Sequence, residues 1–192
     1  VRRFTKREVI PFFIEKYLIK GELNMCIGSN SKMKIKKMRE NAILPKSING
    51  NWMDVYASGI AVCTLEDVRE NGFKQDFIYK GHVNYYKGNV VIVKLGFALE
   101  LEYGTTGYLL PRSSTFKNFG LLLTNSMGVI DTSYCGDNDE WTMMFYAVEN
   151  GSMKIGERPG QMFIRRDVEN FEFKEVEFLG NKDRGGYGSS GR

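Results

Sequence analysis

The chain has 192 residues with 27 Lys+Arg against 23 Asp+Glu, a formal charge of +4 that is too mild and scattered to demand nucleic acid as a partner. A single histidine, His82, excludes any site built on several imidazoles and argues against a His-based nucleophile triad. The balance of 42% hydrophobic and 26% charged residues excludes wholesale disorder, and the length favours one domain with room for a small second.

In chain order, Ile10, Phe13, Ile14, Tyr17 and Leu18 fall on one face of a helix, with Pro11 suited to its first turn. Glu15 and Lys16 interrupt the apolar stretch from Ile10 to Ile19, far short of the ~20 residues that span a bilayer. The basic start lacks a small-residue cleavage site, so a signal peptide is disfavoured. Gly28-Ser29-Asn30-Ser31 reads as a linker and Met33 as a possible second start. Residues 1–32 are therefore expected to be a helical, dispensable extension. Cys26, Cys63 and Cys135 are odd in number with no C-x-x-C spacing, which suits a reducing cytoplasm.

From Met33 onward the pattern is short strands and turns. Val91, Val93, Leu95, Phe97, Leu99 and Leu101 alternate as one long strand, and Thr142–Val148 and Gln161–Ile164 read as buried strands. Phe171, Phe173, Val176 and Phe178 alternate with charges, with a phase slip near Glu175 like that of a bulge. Asn49-Gly50, Lys87-Gly88, Glu149-Asn150-Gly151 and Pro159-Gly160 mark turns. The fold class is thus all-β, a sandwich or barrel, with helix confined to the N-terminal segment and a turn near Ser114–Asn118.

Four stretches could carry chemistry. In Pro111-Arg112-Ser113-Ser114 a guanidinium and two hydroxyls at a strand end can grip phosphate; the run is also compatible with a surface arginine and a capping serine. In Thr124–Tyr134 the Ser-Met-Gly centre predicts a hairpin carrying Asn125 on one arm and Asp131 on the other. Backbone groups there can read a flat base, a carboxylate can deprotonate water, and Tyr134 offers an aromatic face; ordinary turn residues would give the same pattern. Gly156-Glu157-Arg158-Pro159-Gly160-Gln161 reads as a hairpin loop entering a strand. The tail holds five of the chain's 21 glycines in its last thirteen residues. Its backbone N–H groups can close around an anion, although it lacks a P-loop's Gly-Lys-Ser/Thr and equally suits a flexible end.

With Asn51-Trp52-Met53-Asp54-Val55-Tyr56-Ala57, these stretches resemble, in order, the five motifs of the trimeric dUTP pyrophosphatases (dUTPases) from about residue 33 to the C-terminus. Phe116-Lys117-Asn118-Phe119-Gly120 and Gly136-Asp137-Asn138-Asp139 look like the subgroup of Gram-positive bacteria and their phages. The resemblance implies a jelly-roll-like β-barrel of the β-clip type over residues 33–179, a homotrimer with sites shared between subunits, and a glycine-rich arm at 180–192. It implies a dUTP diphosphatase yielding dUMP and pyrophosphate, which keeps uracil out of DNA and supplies dUMP for thymidylate synthesis. Asn125 and the backbone around Gly128 and Ile130 would read uracil, Tyr134 would exclude ribose, and Asp131 would activate the attacking water. Arg112, Ser113, Ser114 and Gln161 would hold phosphates, and Asp54 would touch Mg2+ through water. Arg184, Gly188, Ser189 and Ser190 would close on phosphate with Tyr187 over the base.

This chain departs from the family pattern in three places. Arg184 runs straight into Gly185-Gly186, so Lys182 could take its contact; Tyr187 replaces the usual phenylalanine; and residues 59–84 look like an insertion, expected as a surface loop or hairpin. A related dCTP deaminase needs a glutamate where Trp141 stands, with Glu140 out of register. A phage regulatory protein on the same scaffold, using 1–32 or 59–84 to engage a partner, is the other alternative.

Overall fold

The computed structural model describes residues 33–47, 50–166 and 173–180. Every element lies within Lys34–Arg192, one compact unit of the chain. The expected helix over 10–18 and the tail residues Lys182, Arg184, Tyr187, Gly188, Ser189 and Ser190 fall outside the described residues.

Among the described residues the fold is all-β with two short helices. Strands β1 (Lys34–Lys37), β2 (Lys46–Ser47), β3 (Met53–Val55) and β4 (Gly59–Cys63) precede helix α1 (Leu65–Asn71). Then come β5 (His82–Tyr85), β6 (Val90–Lys94), β7 (Phe97–Glu100) and β8 (Thr105–Pro111), and helix α2 (Thr115–Phe119). Strands β9 (Leu121–Leu123), β10 (Gly128–Ile130), β11 (Thr142–Ala147), β12 (Gly151–Lys154) and β13 (Gly160–Arg166) complete it. Every pairing is antiparallel: one sheet has the order β10-β8-β13-β3-β2, a second β4-β6-β11-β9, and β1-β7 and β12-β5 form two ribbons. Among the described residues none of these sheets closes on itself.

The core follows from side-chain period. Met143, Phe145 and Ala147 of β11 alternate inward, as do Thr105, Gly107 and Leu109 of β8. Strand β6 lies between β4 and β11, and its Val90-Val91-Ile92-Val93 run is buried throughout, as expected of a strand covered on both faces. Gly107 admits the Trp141 ring, whose atoms occupy the space a Cβ would need.

Four sequence expectations change. The long strand over 91–101 breaks at Gly96, whose φ of +82° is costly for any residue with a Cβ. Its N–H donates to Glu140 Oε1 at 2.8 Å, and Ala42 and Ser58 crowd its Cα. Helix is not confined to the N-terminal segment: Leu65–Asn71 forms α1, capped by a reciprocal Thr64–Asp67 box and ended by Gly72. Gly59–Cys63 is a core strand, so the protruding part of the 59–84 segment begins only at Thr64. Finally, residues 173–180 form no strand; Phe173, Phe178 and Leu179 stand almost fully exposed.

Candidate active site

Two clusters of the expected residues form on the β10-β8-β13-β3 sheet. The first is a cleft of about 620 Å³ whose lining includes Asn125, Gly128, Ile130, Asp131, Tyr134 and Glu140. The β9–β10 turn, at the place of the expected hairpin, builds it, but its two arms enter different sheets: β9 pairs with β11, and β10 pairs with β8 in the register Gly128↔Leu109, with Ser126 at a positive φ of 58° between them. Gly128 is needed there because a Cβ would press on Leu109.

Asp131 follows the last residue of β10. Its Oδ1 accepts from the Ser133 N–H at 2.7 Å and the Ser133 hydroxyl at 2.5 Å. The hydroxyl first, and then the N–H, holds the carboxyl below its ordinary range and keeps it ionised. Tyr134 is half-buried at the same wall, its hydroxyl donating to the Glu140 carbonyl at 3.3 Å. Burial, then Asp139 and Glu140, pushes its phenol pKa up, so it stays neutral.

The second cluster surrounds Asp54. Its carboxylate is 13% exposed and bridges Arg112 Nε and Arg158 Nη1, both at 2.8 Å. Antiparallel pairing places Gln161 opposite both Asp54 and Leu110, and its side-chain amide donates to the Pro111 carbonyl at 3.2 Å. Ser113 is exposed and Ser114 caps α2 by position. Arg112, Ser113, Ser114, Gln161 and Asp54 do not line the hairpin cleft.

Sequence reading missed several parts of this site. Arg158 was seen only as a loop charge, although its place two residues before β13 puts it beside Asp54. Thr115 is completely buried; its hydroxyl accepts from Arg112 N–H at 2.8 Å and donates to the Pro159 carbonyl at 2.9 Å, joining the two phosphate-grip stretches. Glu140 accepts from both terminal nitrogens of Arg39 at 2.6 Å, and that hydrogen-bonded partner raises the guanidinium's pKa further. Only the hydroxyl after Pro-Arg-Ser-Ser gave any signal in the sequence. The Arg39–Glu140 pair spans 101 positions and gave none.

No group of three His, Cys, Asp or Glu that could hold an ion occurs among the described residues. Asp54 already serves two guanidiniums. Such a set does not cage a cation directly; it suits an ion carried by substrate oxygens that retains its waters.

An antiparallel β scaffold with a base-sized hairpin cleft and an arginine–carboxylate cluster defines a nucleotide-binding enzyme class. No protein-family model matches the chain. A curated relative, the SPbeta prophage-derived deoxyuridine 5'-triphosphate nucleotidohydrolase YosS of Bacillus subtilis, is 39% identical over 163 residues, covering 83% of this chain and 98% of the relative. Among solved structures, a Staphylococcus bacteriophage 80alpha dUTPase mutant with dUpNHpp aligns at TM-score 0.58 and 17% identity, over 84% of this chain and 99% of that one. A dUTPase mutant from phage phi11 of S. aureus, described with a structural Mg(II) ion, aligns at TM-score 0.55 and 15% identity, over 77% of this chain and 98% of that one. The chain belongs to the deoxyuridine 5'-triphosphate nucleotidohydrolase (dUTPase) family and is a dUTP diphosphatase. The Gram-positive and phage resemblance of its motifs agrees with these relatives.

Proposed function

We propose that this dUTPase splits dUTP into dUMP and pyrophosphate with Asp131 as general base. The observation that carries the reading is the Asp131 carboxylate, ionised and solvent-open at the edge of the hairpin cleft. Both hydrogen bonds from Ser133 fall on Oδ1, which leaves Oδ2 to accept a proton from water. That water's oxygen bonds to the α-phosphorus, the bond from the α-phosphorus to the oxygen bridging to the β-phosphate breaks, and pyrophosphate departs with the electron pair. Asn125 and the backbone of Gly128 and Ile130 read the uracil edge, and Tyr134 packs under deoxyribose.

Arg112, Ser113, Ser114 and Gln161 hold the phosphates. Arg112 and Arg158, oriented by Asp54, present fixed positive charge to the developing anion. Mg2+ would be held by the triphosphate oxygens with Asp54 holding one of its waters, and when bound it would supply further charge neutralisation for the leaving group.

The separation of the two clusters supports a site completed by a second copy of the chain, hence the homotrimer. The arm at 180–192, with Arg184 or Lys182, Gly188, Ser189 and Ser190 on phosphate and Tyr187 toward the base, closes the site. Residues 1–32 are a dispensable extension, and the free Cys63 and exposed Cys135 suit a reducing cytoplasm.

A deaminase is disfavoured: Glu140 is occupied by Arg39 and the Gly96 N–H, and Trp141 is packed in the core. A regulatory partner, engaged through 1–32 or 59–84, would be indicated by a wild-type phenotype from Asp131→Ala protein in the host.

The test of the catalytic reading is pyrophosphate release from dUTP, dTTP, dCTP and UTP, with and without Mg2+. Release from dUTP alone, with Mg2+, is expected. Comparable turnover of dTTP or UTP, or ammonia from dCTP, would overturn it.

A further inference from the structure

We propose that the segment between β4 and β5 supplies an aromatic wall to the nucleotide cleft, with Phe73 stacking on the base. The proposal rests on the placement of nucleotide in the hairpin cleft given above.

The first ground is position. Phe73 lines the 620 Å³ cleft and also a smaller adjoining cavity of about 100 Å³, and it shares both with Leu109, Asn125, Gly128 and Thr142. Asn125 and Gly128 are the residues placed at the uracil edge. Phe73 therefore lines the same cavity as the two residues assigned to the uracil edge.

The second ground is that packing does not use this ring. Val68 and Phe77, on either side in sequence, pack against the cluster of Ala61, Cys63, Val90 and Ile92. Phe73, between them, is 58% exposed. The segment is anchored by two apolar residues and holds a third out over the cleft.

The third ground is the rigidity of the tip. The Thr64–Asp67 capping box fixes the start of α1, and Gly72 ends it with its N–H on the Val68 carbonyl. The Gln75 amide then donates to the carbonyls of Asp67 at 3.2 Å and Gly72 at 3.1 Å, tying the chain on both sides of Phe73. A wall ordered before binding does not spend stacking energy on its own ordering.

A phenyl face stacks on any base, so Phe73 contributes affinity and the hairpin retains the choice of uracil. Phe73→Ala is expected to raise the Kd of a non-hydrolysable dUTP analogue, and the KM for dUTP, about tenfold or more. The preference for dUTP over dTTP, the inhibition constant of inorganic tripolyphosphate and the thermal midpoint should stay as in the parent. Phe73→Tyr is expected to restore binding, and the emission of a Phe73→Trp variant should change on adding the analogue. An alanine variant that binds the analogue as tightly as the parent overturns the wall and returns the stacking role to Tyr187. If Asn125→Ala and Tyr134→Ala also leave the Kd unchanged, the placement of nucleotide in this cleft fails instead.

Discussion

Asp131 and Asp54 are the same residue type on one sheet, and they sit in opposite settings. Asp131 is open to solvent, bonded to Ser133 and the Tyr134 backbone close by in sequence, and held ionised with no ion pair to a cation among the described residues. Asp54 is nearly buried and spends both oxygens on Arg112 and Arg158. A carboxylate that must accept a proton needs an oxygen without a strong cationic partner. One that must hold two guanidiniums in place needs none. On the proposed reading the cleft serves the chemistry and the arginine cluster the positioning.

The comparison is broken most directly at Asp131. Asp131→Asn keeps the shape and removes the base, so dUTP turnover should fall by about 10²–10⁴-fold, while calorimetry still detects binding of a non-hydrolysable analogue. Undiminished pyrophosphate release would refute the assigned base.

At Asp54 the main effect should fall on stability. Asp54→Asn leaves two part-exposed guanidiniums unpaired, a loss of about 2 kcal/mol after allowance for their exposure. The corresponding fall in thermal midpoint is roughly 4–8 °C, readable by calorimetry. Thr115→Val removes one fully buried hydroxyl and strands the Arg112 N–H and the Pro159 carbonyl, costing about 1–2 kcal/mol. Here KM for dUTP should rise with the loosened grip.

The smallest effect concerns pH. Asp131 works as a base only when ionised, so activity is lost as pH falls through its pKa. Ser133 holds that pKa below the ordinary value of 3.8, and the acid limb of kcat/KM should lie below it. Ser133→Ala should move the limb to higher pH. An unmoved limb would mean that Ser133 does not tune the base.

Much of this contrast was legible from local pattern. The hairpin, Asp131, and strands β11 and β13 follow from turn residues and alternation over a few positions. Helix α1 was also written in the Thr64–Asp67 spacing, but it lay inside a stretch read as loop. What stayed hidden was non-local. The Gly96 break depends on Ala42, Ser58 and Glu140, residues far along the chain. Arg158 gains meaning only when antiparallel pairing carries its strand beside β3. Phe173–Phe178 has the alternation of a strand, yet residues 173–180 form none, because pairing is a non-local property that alternation alone does not supply.

In the proposed homotrimer, catalytic cleft and phosphate grip from different chains combine in one site. Mixing unfolded Asp131→Asn and Arg112→Ala proteins, each inactive, and refolding them together tests it. Shared sites predict that activity returns, to about a quarter of the wild-type level for random assembly of a cyclic homotrimer. A mixture as inactive as its two components would place both residues in the site of a single chain and contradict the account.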